Sequence, residues 1–472
     1  METIMSESTH GSLTAVEQRG IEPVPSNERT GKPFELFWVW FAANISILGI
    51  PLGATLVAVQ ALNIWQALLV AVIGAGGSFA LVGVVSIAGR RGGAPSMTLS
   101  RATFGPRGNM GPTFVSLLSR WGWETVNTTT AAFVLISLFS ILFGSSANAK
   151  TVPVLTIIAI LVFEGCTLLV SGLGHGAILI IQKWATWIFG ALNIFVGIFL
   201  IANVNWHAVL SAPGGSFGAV LLGVATIAAG TGIGWANSGA DMARYQHVSA
   251  KAGHLIMVSA AGAGIPLVLL IGLGALLTAG NPELASATDP VAAIRELLPT
   301  WMAAPYLIAA FGGLLLSNHL SVYSAGLTTI TLGFRIRRVY AVGVDIVVTF
   351  LGSLYFMLGA DSFYGPFIAF ISLLAIPITA WLGVFLADMI RRRWYDPEAL
   401  LDMSPAGRYW YRGGIEWRAT GVWIVALVVG YVMLAMDQGG IAWLVTLVIA
   451  GLGYLALGGA RGTVSDPELA RK

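Results

Sequence analysis

Charge is scarce in this chain. Asp, Glu, Lys and Arg make up only 10% of its 472 residues, while 56% are apolar. An average soluble domain carries about 25% charged residues. With a mean hydropathy of +0.81, the composition excludes a disordered, collagen-like or disulfide-stapled chain and argues against a soluble enzyme. Cysteine is nearly missing as well. Cys166 stands alone, so no intramolecular disulfide can form. Also lacking are a Walker loop, histidines paired at metal spacing and a serine nucleophile elbow. The chain therefore reads as a non-enzyme with no metal and no cofactor. Without an ATP site, any energy for work must come from an ion gradient. The formal net charge of +3 does not point to nucleic acid. The positive residues sit in short strips between apolar runs, which is a membrane pattern.

What the chain has is long apolar runs. A helix needs about 20 mostly apolar residues to cross a bilayer. Twelve stretches qualify: 34–57, 61–88, 110–142, 152–170, 177–201, 217–240, 255–279, 302–332, 339–358, 363–390, 422–436 and 441–458. The runs are continuous rather than alternating, which excludes a β-barrel and leaves a helical bundle. Residues 1–33 form a polar tail that carries acids and has no apolar core, so it is not a signal peptide. It is expected to be mobile. Residues 391–419 form the longest loop, 420–460 carry the last two helices, and 461–472 are a second polar tail.

Lys and Arg set the orientation. Of the 25, 21 fall on the side of the two termini, two fall opposite (Lys150 and Arg295), and Arg120 and Lys183 lie inside spans. Both termini are thus expected in the cytoplasm, in a multi-pass protein of the plasma (inner) membrane.

Two spans are interrupted. The first contains Asn44-Ile-Ser46-Ile-Leu-Gly49-Ile-Pro51, and the sixth contains Gly230-Thr-Gly232-Ile-Gly234-Trp235-Ala-Asn237. Such breaks free backbone groups in mid-membrane, where they need partners or a lined cavity. Broken helices five spans apart point to a five-plus-five inverted repeat over residues 34–390, with a site at the midplane and two added C-terminal helices. Close helix packing is the plainer role for a single glycine, whereas two clusters in matching positions favour the site.

Ionisable groups also lie within spans: Arg120, Glu124, Glu164, Lys183 and Asp345. A charge at a helix centre costs roughly 2.5–3.5 kcal/mol on the insertion scale. Arg120 and Glu124 share a helix face at i, i+4 and are placed to neutralise each other. Glu164 either pairs with Lys183 across helices or serves as a proton site. Structural pairing is the plainer role for Lys183 and Asp345.

Span three also puts Trp123 and Asn127 on one face, and span eight does the same for Ser317 and Ser321, with Asn318 beside them. An indole offers a flat surface for stacking. A carboxamide offers one acceptor and two donors in a plane. Together they suit the face and edge of a planar heterocycle.

Several motifs resemble the nucleobase:cation symporter-1 family. They are Pro95-Ser-Met-Thr-Leu-Ser-Arg101-Ala-Thr-Phe-Gly105, Gly234-Trp235 through Asp241-Met-Ala-Arg244-Tyr245, Tyr323-Ser-Ala-Gly-Leu327, and Trp410-Tyr-Arg-Gly-Gly-Ile-Glu-Trp417-Arg. The stretches run from about 34 to 436 and look most like the purine–cytosine permease branch. The resemblance implies a twelve-helix carrier with a five-plus-five inverted repeat and alternating access. It implies stacking of substrate on Trp123 near Asn127, with Trp235 as the tryptophan of the span-six motif. Asn318 matches a substrate-contacting asparagine of the fungal branch, whereas Ser317 and Ser321 stand where asparagines are expected. Glu164 matches an acid of span four. In sodium-using relatives the ion lies between the span-one break and span-eight hydroxyls. Ser317 matches one such hydroxyl, but Leu316 replaces its neighbour. Protons carried by Glu164 or Glu124 are therefore expected over Na⁺. The implied activity is import of cytosine and/or purines by symport. Allantoin, hydantoin, uracil or thiamine are the alternative cargoes, and a channel-like facilitator is the alternative of another class.

Overall fold

The computed structural model describes residues 17–202, 204–281, 284, 290–361 and 363–458. The expectations for residues 1–16 and 461–472 lie outside these. The described residues are almost wholly helical. Eleven helices are long and apolar enough to cross a membrane, and the bent pair Pro33–Asn44 and Gly49–Ala58 brings the number of spans to twelve. Spans two to five are Ile64–Gly92, Met110–Phe143, Pro153–Leu173 and His175–Ala202. Spans six to nine are Phe217–Ala236, Ala252–Gly280, Thr300–Thr331 and Arg338–Gly359. Spans ten to twelve are Ser372–Arg391, Trp417–Ala435 and Gly439–Ala456.

The spans sort into packed groups. Span seven packs along both halves of span one and along span two, and span two packs against span six. These four form one body, the bundle. Spans three, four, eight and nine pack on one another as a second body, the scaffold. Span five lies against spans one and eight, while ten, eleven and twelve pack together beside them. Each body takes two consecutive spans from each half of a five-plus-five repeat.

Polarity is inverted relative to a soluble protein. Trp184, Ile188, Val425 and Leu452 are each more than half exposed, whereas Glu124, Asn318, Asp345 and Thr349 are fully buried. Lipid is as apolar as leucine, so apolar residues gain little by turning inward. Polar residues must turn inward to find partners. Small residues then bring backbones together. A Cβ on Gly53 would lie 1.9 Å from the Ile271 carbonyl oxygen, so only glycine lets spans one and seven cross at this depth.

The N-terminal segment departs from the expected mobile tail. From residue 17 onward it is docked on the helix ends, with Val24 fully buried and Arg29 nearly so. Val24 N–H donates to the Gly93 carbonyl at 2.8 Å, and Arg29 Nη1 donates to the Arg90 carbonyl at 2.8 Å. The sequence marks this stretch as polar but does not show that helix ends supply its partners.

Candidate substrate-binding site

Both breaks face one cavity. In span one the helix stops at Asn44, turns by 64° and resumes at Gly49. Gly49 N–H returns to the Ser46 carbonyl at 3.2 Å, and the Asn44 amide donates to the Trp40 carbonyl at 2.8 Å. In span six a wide turn over Ala229–Ile233 holds Thr231 at φ −127°, ψ −106°, outside the helical region. The freed Gly232 N–H is not left bare. It donates to Ser78 Oγ of span two at 3.1 Å, and the same hydroxyl meets Thr231 Oγ1 at 3.2 Å. Ser78→Ala removes that partner. Leaving a buried N–H unpaired costs about 1–3 kcal/mol, so the melting temperature of the purified protein is expected to fall. An unchanged melting curve would show that the break does not need this support.

About 490 Å³ of space free of protein atoms lies between the breaks, part of it continuous with the outside, and the enclosed part is only about 50 Å³. Asn44, Ser46 and Gly49 line it from the span-one break, Trp123 and Asn127 from span three, and Thr231 and Trp235 from span six. Ser317 lines it from span eight, and Leu52 and Leu267 add apolar wall. The lining, mostly apolar with a few placed polar groups, has the character of a small-molecule site. Two indoles, two carboxamides (Asn44 and Asn127) and hydroxyls around an apolar wall provide a flat face and a polar edge. Among the described residues, buried Asn127 Oδ1 has no hydrogen-bond partner, leaving one acceptor for a donor on a ligand.

Further contacts fix the indoles. Trp235 meets Trp40 edge-on at 5.7 Å and carries the Arg120 guanidinium on its face at 4.6 Å. Trp123 meets Phe370, in the first turns of the helix Tyr364–Arg391 that carries span ten, edge-on at 6.4 Å. A Cβ on Gly234 would come within 3.1 Å of Trp123 Nε1, so the Gly-Trp pair lets the third span's indole lie against span six.

Not every expected site residue reaches the cavity. Trp123, Asn127, Trp235 and Ser317 come together there, as do Asn44, Ser46 and Gly49. Asn318 and Ser321 lie in a buried layer behind it. Asn127 Nδ2 donates to Asn318 Oδ1 at 3.4 Å, and Asn318 Nδ2 donates to Thr167 Oγ1 at 3.2 Å. Ser321 Oγ donates to Glu124 Oε1 at 2.8 Å. Asn318 is therefore placed to orient Asn127. Gly232 lies in the break itself, packed on Ser78, and Gly234 begins the helical turn that follows it.

The expected intramembrane ion pairs are not formed among the described residues. Arg120 does not pair with Glu124. It donates instead to the carbonyl of Gly234. Lys183 pairs with neither Glu164 nor Asp345, and lies over the Trp184 ring at 5.7 Å. Glu164 Oε1 accepts from Thr128 at 2.9 Å and Thr349 at 2.7 Å, and Asp345 accepts from Trp121 Nε1 at 2.6 Å. Helix spacing places Arg120 and Glu124 on one face, but the long guanidinium reaches sideways to the broken helix. Leu316 has its carbonyl engaged by Gln182 Nε2 at 3.2 Å. Sequence reasoning missed Ser78, Phe370 and the indole-facing role of Arg120. None carries a local signal, since each acts through a contact between distant spans.

Twelve spans and a cavity with a few placed polar groups between two broken helices define a multi-span membrane carrier. The chain matches a family model described as a permease for cytosine/purines, uracil, thiamine and allantoin over residues 23–457, and it belongs to that family. Among relatives, it is 26% identical over 465 residues to YxlA of Bacillus subtilis (strain 168), whose name marks it as a candidate purine-cytosine permease. That alignment covers 94% of this chain and 96% of the relative. The purine-cytosine permease fcyB of Emericella nidulans is 26% identical over 405 residues, covering 79% of this chain and 72% of the relative. The fold superposes on Mhp1, a nucleobase-cation-symport-1 family transporter, in a closed conformation with bromovinylhydantoin bound. The TM-score is 0.77 at 20% identity, over 93% of this chain and 95% of Mhp1. The inward-facing conformation of Mhp1 gives 0.71 at 20% identity, over 96% of each chain.

Proposed function

We propose that the protein is a secondary active transporter that imports a nucleobase, cytosine and/or a purine, across the plasma membrane by proton symport. The observation that carries this reading is the cavity at the two helix breaks, lined by Trp123, Trp235 and Asn127. The base lies against the indoles, with its edge toward the free acceptor of Asn127 and the Ser317 hydroxyl. Asn318 holds the Asn127 amide from behind. The bundle and scaffold rock against each other to open the cavity to each side in turn. Both termini lie in the cytoplasm, in line with the 21 cationic residues on that side.

For coupling, the candidates are Glu124 and Glu164. Both are buried, and among the described residues neither forms an ion pair. A carboxyl with no fixed counter-ion is a group whose charge the transport cycle can change. Glu124 is linked through Ser321 to the helix that carries Ser317 and Asn318, so its protonation is tied to the cavity wall. A difference in proton binding between outward and inward states then biases the cycle.

The test is uptake of radiolabelled cytosine into cells without their own nucleobase carriers, with and without a protonophore. Unlabelled hypoxanthine, adenine, uracil, allantoin and thiamine serve as competitors. Concentrative uptake that the protonophore abolishes is expected. No uptake and no competition by cytosine or purines would move the assignment to another cargo of the family. Uptake that only equilibrates, with no ion dependence, would make the protein a facilitator.

A further inference from the structure

We propose that Glu17 is a latch that holds the bundle to the scaffold on the face bearing the N-terminal segment, and that releasing it permits inward opening. The proposal rests on the alternating-access reading above.

The docked N-terminal segment is fastened mainly to the bundle. Its Val24 and Arg29 bond to the end of span two. Gly31 N–H donates to the Tyr245 carbonyl at 2.9 Å, and Arg244 Nη1 donates to the Gly20 carbonyl at 2.6 Å, both just beyond span six. At residue 17 the segment crosses to the other side. Glu17 N–H donates to the Leu173 carbonyl at the end of span four at 2.8 Å. The Glu17 carboxylate accepts from His175 N–H of span five at 2.9 Å and from Tyr323 OH of span eight at 3.1 Å. The same carboxylate holds Arg244 of the bundle at 2.7 Å and Arg338 of span nine at 3.8 Å. One side chain, 12% exposed, thus joins both bodies.

The charges explain why a carboxylate is needed. Arg244 and Arg338 come from opposite bodies and approach the same Tyr323 ring, at 6.0 and 5.3 Å from its centre. Among the described residues, Glu17 is the acid that ion-pairs with both. Without it, two cations from opposing bodies share one phenol, and their repulsion favours separation. Burial pushes the Glu17 carboxyl up, but Arg244, Arg338 and His175 outweigh burial and hold it at about 2. The latch is therefore ionised at neutral pH. Directly beneath it the bodies also meet through Ser238 and Ser324, whose hydroxyls are 2.7 Å apart, and through Asp241, which accepts from Ser324 at 2.6 Å. Parting of the bodies exposes this buried seam.

The seam supplies the readout. Cys166→Ser removes the native thiol, and Ser238→Cys places a single reporter between the bodies. The purified protein in lipid nanodiscs is labelled with N-ethylmaleimide, with and without cytosine. Glu17→Gln, which keeps the side-chain size, is expected to speed labelling on the order of tenfold. Tyr323→Phe, which removes one hydroxyl, is expected to speed it less. Size-exclusion profiles identify any variant that has merely failed to fold. If cytosine changes the labelling rate but Glu17→Gln and Tyr323→Phe do not, the latch is wrong and alternating access stands. If neither cytosine nor either variant changes the rate, both ideas fail.

Discussion

Asn127→Ala is expected to weaken binding of the transported base about 5- to 150-fold. The figure follows from the cost of leaving a buried polar edge unpaired, about 1–3 kcal/mol. Asn127 lines the cavity with Asn44, whose amide donates to the Trp40 carbonyl, and among the described residues the Asn127 Oδ1 has no partner. Asn318 has both its amide and its carbonyl engaged inside the protein. Asn318→Ala should therefore act indirectly, by letting Asn127 rotate, and should cost less than Asn127→Ala. Isothermal titration of the purified variants with the base identified by uptake measures both values. Equal losses, or a larger loss for Asn318→Ala, would show that Asn318 meets the base itself and that the cavity rearranges on binding.

The second large effect concerns accumulation. A single elementary charge moved across 100 mV gains about 2.3 kcal/mol, which corresponds to an accumulation ratio of about 50-fold. Glu164→Gln keeps the shape of the side chain and its contact with Thr128 and Thr349, but removes the titrating group. If Glu164 carries the coupling proton, the variant should exchange base across the membrane and bring the ratio down toward one. Glu124→Gln is the parallel test, and Ser321 is its contact. Steady-state accumulation in energised vesicles reads the ratio, and counterflow of preloaded base reads exchange. Full accumulation in both variants would remove the two carboxyls from the coupling path. A dependence on external Na⁺ would then direct attention to the span-one break and Ser317.

These effects differ in kind because the residues sit in different layers. Asn127 faces the cavity, so its loss is expected to be felt as affinity. Glu164 lies among scaffold helices, bonded to hydroxyls of spans three and nine, so its loss is expected to be felt as energy coupling. Phe370 occupies a third position. It meets Trp123 edge-on from the tenth-span helix, which packs on spans three, six and twelve.

Much of the architecture is legible in the sequence. Twelve apolar runs give twelve spans because each helix must satisfy its own backbone in lipid, and that requirement acts on local sequence. The two breaks were legible for the same reason. Asn44 to Gly49 and Gly230 to Gly234 combine residues that interrupt a helix with polar groups that need partners. Trp123 and Asn127 follow from helix periodicity, since i and i+4 share a face whatever the surroundings.

Periodicity does not say which neighbour a face meets, and only the tertiary structure decided that. Arg120 and Glu124 are correctly placed on one helix for a pair, yet the guanidinium spans to the Gly234 carbonyl and the Trp235 face. Asn318 and Ser321 turn to Thr167 and Glu124 because the packing of span eight on spans three and four leaves Ser317 nearer the cavity. Ser78 supports the span-six break from a helix more than a hundred positions earlier in the chain. Glu17, in a segment whose composition reads as a loose tail, gathers charges from both bodies. Helix formation in a membrane is a local consequence of apolar length. Pairing of polar groups is set by three-dimensional proximity, and a single sequence without its fold does not contain those distances.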